Sequence, residues 1–231
     1  MEVSREHINT AAEAVHAGIA AGLGGGCDNA QCAAACRRLA GAVDAEVAAA
    51  KDDGAPVACV AGCDFCCHQR VSVFLHEAVA LLGNLRARAS PAEAAALEQR
   101  LRENARRVDG MTVREHYAAN LRCAFLVDGR CSAYEVRPSA CAAYHSLSRE
   151  RCEYSYNHPQ DIGTPKNRRP ALLTLTAYCD AVIGATESGL AAAGLSSAKA
   201  ELHQALRALL DDPRAVERWP IWGEPAGGPA A

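Results

Sequence analysis

The segment CVAGCDFCCHQ, Cys59 to Gln69, holds four cysteines within nine residues and follows them with a histidine. So many thiols in so short a stretch constrain this chain more than its hydrophobic pattern does. If residues 59–67 are helical, the 100° step per residue places Cys59, Cys63, Cys66 and Cys67 at about 0°, 40°, −20° and 80°, and all the sulfurs share one face. If the segment is a knuckle-type loop, Cys63 and Cys66 form a C-x2-C pair able to grip one ion. Both conformations concentrate thiolate at one place. Cys66 and Cys67 are awkward as two ligands of the same tetrahedral ion, because adjacent side chains diverge. The vicinal pair therefore points to two metals, or to one ligand and a bystander.

The chain of 231 residues carries twelve cysteines in all. Its N-terminus, MEVSREHINTAAEAV, has no basic stretch ahead of an apolar core, and no apolar run approaches the ~20 residues that span a bilayer. A soluble cytoplasmic protein without a membrane partner is expected. In a reducing compartment thiols stay apart, so metal binding outranks disulfides as the reason for the cysteines. A single Cys can also be a small buried hydrophobe, the reading that fits Cys179 inside an apolar helical pattern. The formal net charge of −3 and pI near 6.2 leave no basic surface to neutralise phosphates, so nucleic acid is not an expected partner.

Half of the residues are hydrophobic, only 5% are aromatic, and alanine dominates the remainder. Alanine favours helices, whereas strands want branched or aromatic side chains. The expected fold is mainly α: one domain over residues 1–231, a helical bundle with a cysteine-rich metal-binding segment and one short β-hairpin. An N-terminal helical pair occupies 1–53, with helices over 4–22 and 28–51 parted by GLGGG. A helix follows from Leu75, with Leu75, Val79, Leu82 and Leu85 on neighbouring faces. Ser90, Pro91 and Glu93 then open another helix, and Thr112 with Glu115 repeats the capping device. In the cysteine-rich core, 57–155, Asp128-Gly129 marks a tight hairpin within 124–136, and Arg137-Pro138 ends the element after it. C-terminal helices are expected within 170–212, at 170–193 and 197–211, followed by an irregular Pro- and Gly-rich tail over 213–231.

Further thiols, Cys123, Cys131, Cys141 and Cys152, run through and just beyond the hairpin. With Cys59, Cys63, Cys66 and Cys67 they make eight, enough for two four-thiolate sites or one polynuclear cluster. CVAGCDFCC followed by CAFLVDGRCSAYEVRPSAC resembles the YkgJ-type cysteine-cluster family, a zinc- or iron-chelating domain marked by C-x3-C-x2-C-C. The family's second half is matched by Cys123, Leu126, Gly129, Cys131, Tyr134, Arg137, Pro138 and Cys141, and Cys152 supplies its last cysteine. The resemblance spans about residues 57–155 and implies that these eight cysteines bind a metal ion.

Thiolate sets suit zinc, Cu(I) or an iron-sulfur cluster rather than magnesium or calcium, and the sequence does not separate zinc from iron. His68 and His145 are minor candidates to replace a thiolate. Arg137 is expected to offset the negative charge of a four-thiolate site, and Glu77 to favour a helix N-terminus. Cys27, Cys32 and Cys36 lie outside the family pattern; they read as packing residues, with Cys27 as a reactive thiol or Cys32 and Cys36 as a peripheral soft-metal pair the lesser alternatives.

Competing readings remain open here, and with them whether the chain is an enzyme. CVAGCDFC has the local spacing of an iron-sulfur enzyme that cleaves S-adenosylmethionine, and similar clusters occur in flagellin lysine N-methylases. The strand-helix repeats that such a barrel needs are not evident. Cys66-Cys67 can also act as a vicinal dithiol in a redox protein, although no G-x-S-x-G, H-E-x-x-H or Walker motif adds a substrate site.

Overall fold

In the computed structural model of the chain, residues 4–212 and 214–216 are described. The helices are α1 (Arg5–Leu23), α2 (Asn29–Asp52), α3 (Leu75–Arg88), α4 (Pro91–Val108), α5 (Val113–Ala118), α6 (Ser139–Ala142), α7 (Arg149–Asn157), α8 (Leu173–Ala192) and α9 (Leu202–Asp211). The other described elements are the short strands β1 (Ser72–Phe74), β2 (Leu126–Val127), β3 (Arg130–Cys131) and β4 (Lys199–Glu201) and 3-10 helices at Phe65–His68, Tyr134–Val136 and Pro159–Asp161. The chain is thus mainly helical, as alanine's propensity dictates. The tail expected over 213–231 lies outside the described residues except at 214–216.

Local signals set most helix starts. Ser4 accepts a hydrogen bond from the His7 amide, and Asp28 forms a reciprocal capping box with Gln31. The same box occurs at Ser90 with Glu93 and at Thr112 with Glu115, satisfying amides that have no partner within the helix. Asp128 and Gly129 both adopt positive φ, 49° and 72°, the twist a two-residue hairpin needs, and they join β2 to β3 with Leu126 opposite Cys131.

One element departs from the expectation. Residues 199–201, expected in the last helix, form a strand antiparallel to β1, with Ser72 opposite Glu201 and Phe74 opposite Lys199. The partner lies far away in sequence, so no local pattern announces this pair. Helix α7, for which no expectation was stated, is started by Ser148, whose side chain accepts from the Arg151 amide.

One hydrophobic cluster unites α1, α2, α3, α4, α8 and α9. The predicted face of α3 is inside: Leu75, Val79, Leu82 and Leu85 are all buried. Helix α1 runs along α8, α2 packs on α3, and α4 on α9. The α1–α8 crossing is close because Gly189 has no side chain; a Cβ there would lie 2.9 Å from the His16 carbonyl oxygen and from the Ile19 Cβ. Gly184, on the same helix, would meet nothing within 4 Å.

These two glycines separate propensity from packing. Gly184→Ala should stabilise the protein by up to about 1 kcal/mol, because alanine is the better helix former. Gly189→Ala gains the same propensity but must push two helices apart, and overpacking of about 1–3 kcal/mol wins. Urea unfolding should therefore move in opposite directions for the two variants; parallel shifts would contradict the close crossing.

Candidate metal centre

The cysteine segment is neither wholly helical nor wholly loop. Residues 58–64 form a loop with Gly62 at φ 84°, where the Cys63 amide bonds the Val60 carbonyl at 3.1 Å. A 3-10 helix, Phe65–His68, then carries Cys66 and Cys67. At about three residues per turn an ideal 3-10 helix sets neighbours roughly 120° apart, yet the Cys66 and Cys67 side chains approach within hydrogen-bond reach.

Backbone bonds tie this segment to the other cysteines. The Cys123 amide donates to the Cys67 carbonyl at 2.8 Å, and the Ala58 amide to the Ser146 carbonyl at 2.8 Å. Lys51 Nζ caps the Cys59 carbonyl at 2.7 Å. Helix α7, which carries Cys152, meets the 3-10 helix through aromatic contacts: Tyr156 lies 5.6 Å from Phe65 and edge-on to His68 at 4.8 Å. Cys131 ends the hairpin and Cys141 sits in α6.

The thiols influence one another across these segments, and Cys66 is the common neighbour. Its charge bears on Cys59, Cys123, Cys131, Cys141 and Cys152. Cys63 acts on Cys59 and Cys152, whereas Cys123 and Cys131 act on Cys141. Cys66 hydrogen-bonds Cys67. Among the described residues, no three histidine, cysteine or acidic side chains stand close enough to hold an ion as they are. The thiols share a region without forming a closed cage.

Burial pushes the Cys123 thiol up to about 12 and raises Cys141 well above its ordinary value, helped by Cys123, Cys66 and Cys131. Burial likewise raises Cys59, Cys131 and Cys152. At Cys66 the hydrogen bond with Cys67 raises the thiol most, with burial adding to it. A thiolate is a charge in a low-dielectric site, and nothing here but a cation would hold several at once.

The residues weighed beside the cysteines have specific partners. Arg137 is buried; it donates to the Tyr134 carbonyl at 3.0 Å, pairs with Asp44 of α2 and lies 4.0 Å over the Tyr134 ring. Its charge also works against the burial that raises Cys131. His68 Nδ1 donates to the Asp64 carbonyl at 3.2 Å. His145 directs Nδ1 to the Ala143 carbonyl at 3.1 Å, while Nε2 is buried without a hydrogen bond. Burial lowers the His145 imidazole, and its other neighbours are Arg169 and the Leu172 backbone rather than the thiols.

The N-terminal trio packs as expected, with Cys32 and Cys36 in the core and Cys27 against it, but carries a bond that was not expected. Cys27 and Cys32 are joined in a disulfide with Cα atoms 5.9 Å apart. The turn into α2 places the residue before its N-cap next to its first turn, within bridging reach. Cys27 is therefore not a free reactive thiol, and Cys32 cannot join Cys36 as a thiolate pair. Cys36 remains free and buried, as does Cys179.

Two buried polar groups that fix the cysteine segments have no strong sequence signal. Glu77, 2% exposed, accepts from the Phe74 amide through Oε2 at 2.9 Å and from the Ser139 amide through Oε1 at 2.7 Å. Its position in the first turn of α3 announces only the first bond. Near Cys123, His203 Nε2 accepts from Asn104 Nδ2 at 3.1 Å and from the Ala124 amide at 3.4 Å, while Nδ1 faces Glu201 Oε1 at 3.0 Å. Burial works to raise the Glu201 carboxyl, but the His203 hydrogen bond holds it below its ordinary value. The β1–β4 pair delivers this Glu-His couple to the cysteine region.

Comparison with known proteins agrees with this chemistry. A family model described as "CxxCxxCC: Putative zinc- or iron-chelating domain" matches residues 58–179, more than half of the chain. The match covers all eight clustered cysteines and continues to Cys179 in α8. No curated protein and no solved structure matches the chain.

Removing the Glu77 carboxylate strands two buried amides, each with a desolvation penalty of about 1–3 kcal/mol. Glu77→Ala should destabilise the protein by about 3 kcal/mol in urea; a change below about 0.5 kcal/mol would exclude the latch. The raised thiols set an alkaline limit on the metal-free protein. Their folded values exceed the ordinary value of about 8.5, so the stabilisation is complete below it and is lost as pH rises toward about 12 at Cys123. Urea midpoints should fall steadily from pH 8 to 10.5, and a flat profile would contradict the buried neutral thiols.

Proposed function

The chain belongs to the CxxCxxCC family of zinc- or iron-chelating domains, and on that premise we propose that its eight clustered cysteines bind thiophilic metal as thiolates. What supports this reading is that all eight cysteines lie within the matched domain and that backbone bonds bring their segments together, the Cys123 amide on the Cys67 carbonyl and the Ala58 amide on the Ser146 carbonyl. Apart from Cys66, the couplings fall into two lobes. Cys59, Cys63 and Cys152 form one, Cys123, Cys131 and Cys141 the other, and the Cys66–Cys67 pair stands where they meet. One lobe with one vicinal thiol makes a four-thiolate set, so the pair can serve two metals.

The donor chemistry fits the group. Thiolates match zinc or iron, and a bound cation supplies the charge that makes deprotonation of these buried thiols favourable. Each ligating cysteine gives up its proton, while Arg137 lies close enough to Cys131 to offset residual negative charge. The raised Cys66 thiol disfavours the vicinal-dithiol redox reading, because reactive cysteines have lowered values. An iron-sulfur cluster uses the same donors and differs in colour.

Binding also stabilises. A structural thiolate site contributes on the order of 10 kcal/mol to folding, and the segment from Cys123 to Cys152 contains little regular structure of its own.

Metal uptake by protein stripped under reducing conditions should release about one proton per ligating thiol, so that affinity rises with pH. Anaerobic elemental analysis and absorption identify the metal: zinc leaves the protein colourless and an iron-sulfur cluster turns it brown. Cys63→Ser and Cys131→Ser should each lower metal content and speed hydrogen exchange in 123–152, leaving α1, α4 and α8 protected. Full metal in both variants would overturn the ligand assignment. Metal loss with unchanged protection would instead identify a labile ion.

A further inference from the structure

The two lobes of thiols are not anchored alike, and the difference lies in what stands behind each. Cys123 and Cys131 pack against the hydrophobic core, and Ala124, Phe125, Ala133, Val136 and Ala142, which flank the cysteines of that lobe, are part of it. Polar latches hold the same backbone. His203 of α9 accepts from the Ala124 amide at 3.4 Å, and Glu77 of α3 accepts from the Ser139 amide at the start of α6, which carries Cys141. Opening this lobe draws apolar side chains out of the core and strands buried amides.

The other lobe lies outside the core. Cys59 and Cys63 bracket an exposed loop over 60–62, in which Val60 is 58% exposed. Every residue of α7, which carries Cys152, is exposed or half-buried. Ser146 joins the ends of this lobe: its backbone hydrogen-bonds the Cys59 thiol and its side chain the Cys152 thiol. Lys51 holds the loop at the Cys59 carbonyl, and the Tyr156 ring holds α7 against Phe65 and His68. Few buried apolar contacts and a solvent-facing backbone mark a segment that opens locally at low free-energy cost.

Resting on the reading that these thiols serve two metals, we propose that the lobe of Cys59, Cys63 and Cys152 carries an exchangeable cargo ion, while that of Cys123, Cys131 and Cys141 keeps a structural one. The vicinal pair stays with the inner lobe, because the Cys123 amide donates to the Cys67 carbonyl at 2.8 Å. A competing ligand enters past the exposed loop at 60–62 and takes the divalent ion. Each freed thiolate then accepts a proton from water, and no electron moves. The inner lobe and the vicinal pair remain in place to receive the next ion.

The test uses the full-length protein loaded anaerobically with zinc, which has no redox chemistry, and challenged with excess 4-(2-pyridylazo)resorcinol, a coloured zinc chelator. Two phases of equal amplitude are expected, the first at least about tenfold faster, equivalent to about 1.4 kcal/mol. N-ethylmaleimide added between the phases should modify Cys59, Cys63 and Cys152 and spare Cys123, Cys131 and Cys141, as read by peptide mass mapping. Cys152→Ser, on a helix outside the core, should lose the fast phase and keep the slow one. Cys63→Ser should do the same from the loop, and circular dichroism checks that both variants fold. Two equivalents of zinc released at one rate, or alkylation that reaches Cys123, Cys131 and Cys141 first, would overturn the division of the lobes while leaving metal binding intact. Uptake of fewer than two equivalents would overturn the division together with the two-metal reading.

Discussion

One buried carboxylate organises the approach of two distant parts of this chain. Glu77 accepts from the Phe74 amide beside it and from the Ser139 amide 62 residues on, so the start of α3 and the start of α6 are fixed to the same side chain. A buried charge is tolerated when hydrogen-bond donors surround it, and backbone amides are donors that cannot rotate away. Phe74 offers no oxygen to complete a capping box, so Glu77 acts here without the reciprocal bond seen at Ser90 and Thr112. Its negative charge is also felt by Cys36 in α2 and Cys141 in α6. The carboxylate thus sits where the helical scaffold gives way to the cysteine region.

Beyond that point regular structure thins out, and short-range devices take over. The cysteine segments rely on a 3-10 turn, a two-residue hairpin, single backbone bonds and aromatic edges instead of long ladders. Helices supply a rigid frame for them: α2 receives Arg137 through Asp44, and α9 presents His203 to the Ala124 amide. Such a division suits a metal domain. Irregular backbone can aim sulfur in several directions, while packed helices limit how far those segments can drift. The same division explains the raised thiols, since the frame excludes water without providing enough positive charge to replace it.

What the sequence disclosed follows from how far each signal reaches. Ser90 with Glu93, Thr112 with Glu115 and Asp128-Gly129 act within four residues, and each marks an element that is present. The cysteine spacing identified the family because it is itself a local pattern. The β1–β4 pair was hidden because Ser72 finds its partner at Glu201, and the second bond of Glu77 was hidden for the same reason. The bond between Cys27 and Cys32 had no announcing motif beyond a separation of five across a helix start, which permits a disulfide. Arg137 was placed correctly near a thiol, yet its ion pair is with a helix no nearby residue names.

The β1–β4 pairing also bears on the order in which the protein is made. All eight clustered cysteines precede residue 153, but the strand and histidine that brace Cys123 come only with residues 199–203. Chains emerge from the ribosome N-terminus first and begin folding as they do. The thiols are therefore made before their last support exists, and the described arrangement around Cys123 becomes complete only once residues 199–203 have been synthesised. A brace encoded some 50 residues after the last clustered cysteine makes maturation of this region an event that follows that synthesis rather than one of the nascent cysteine segment.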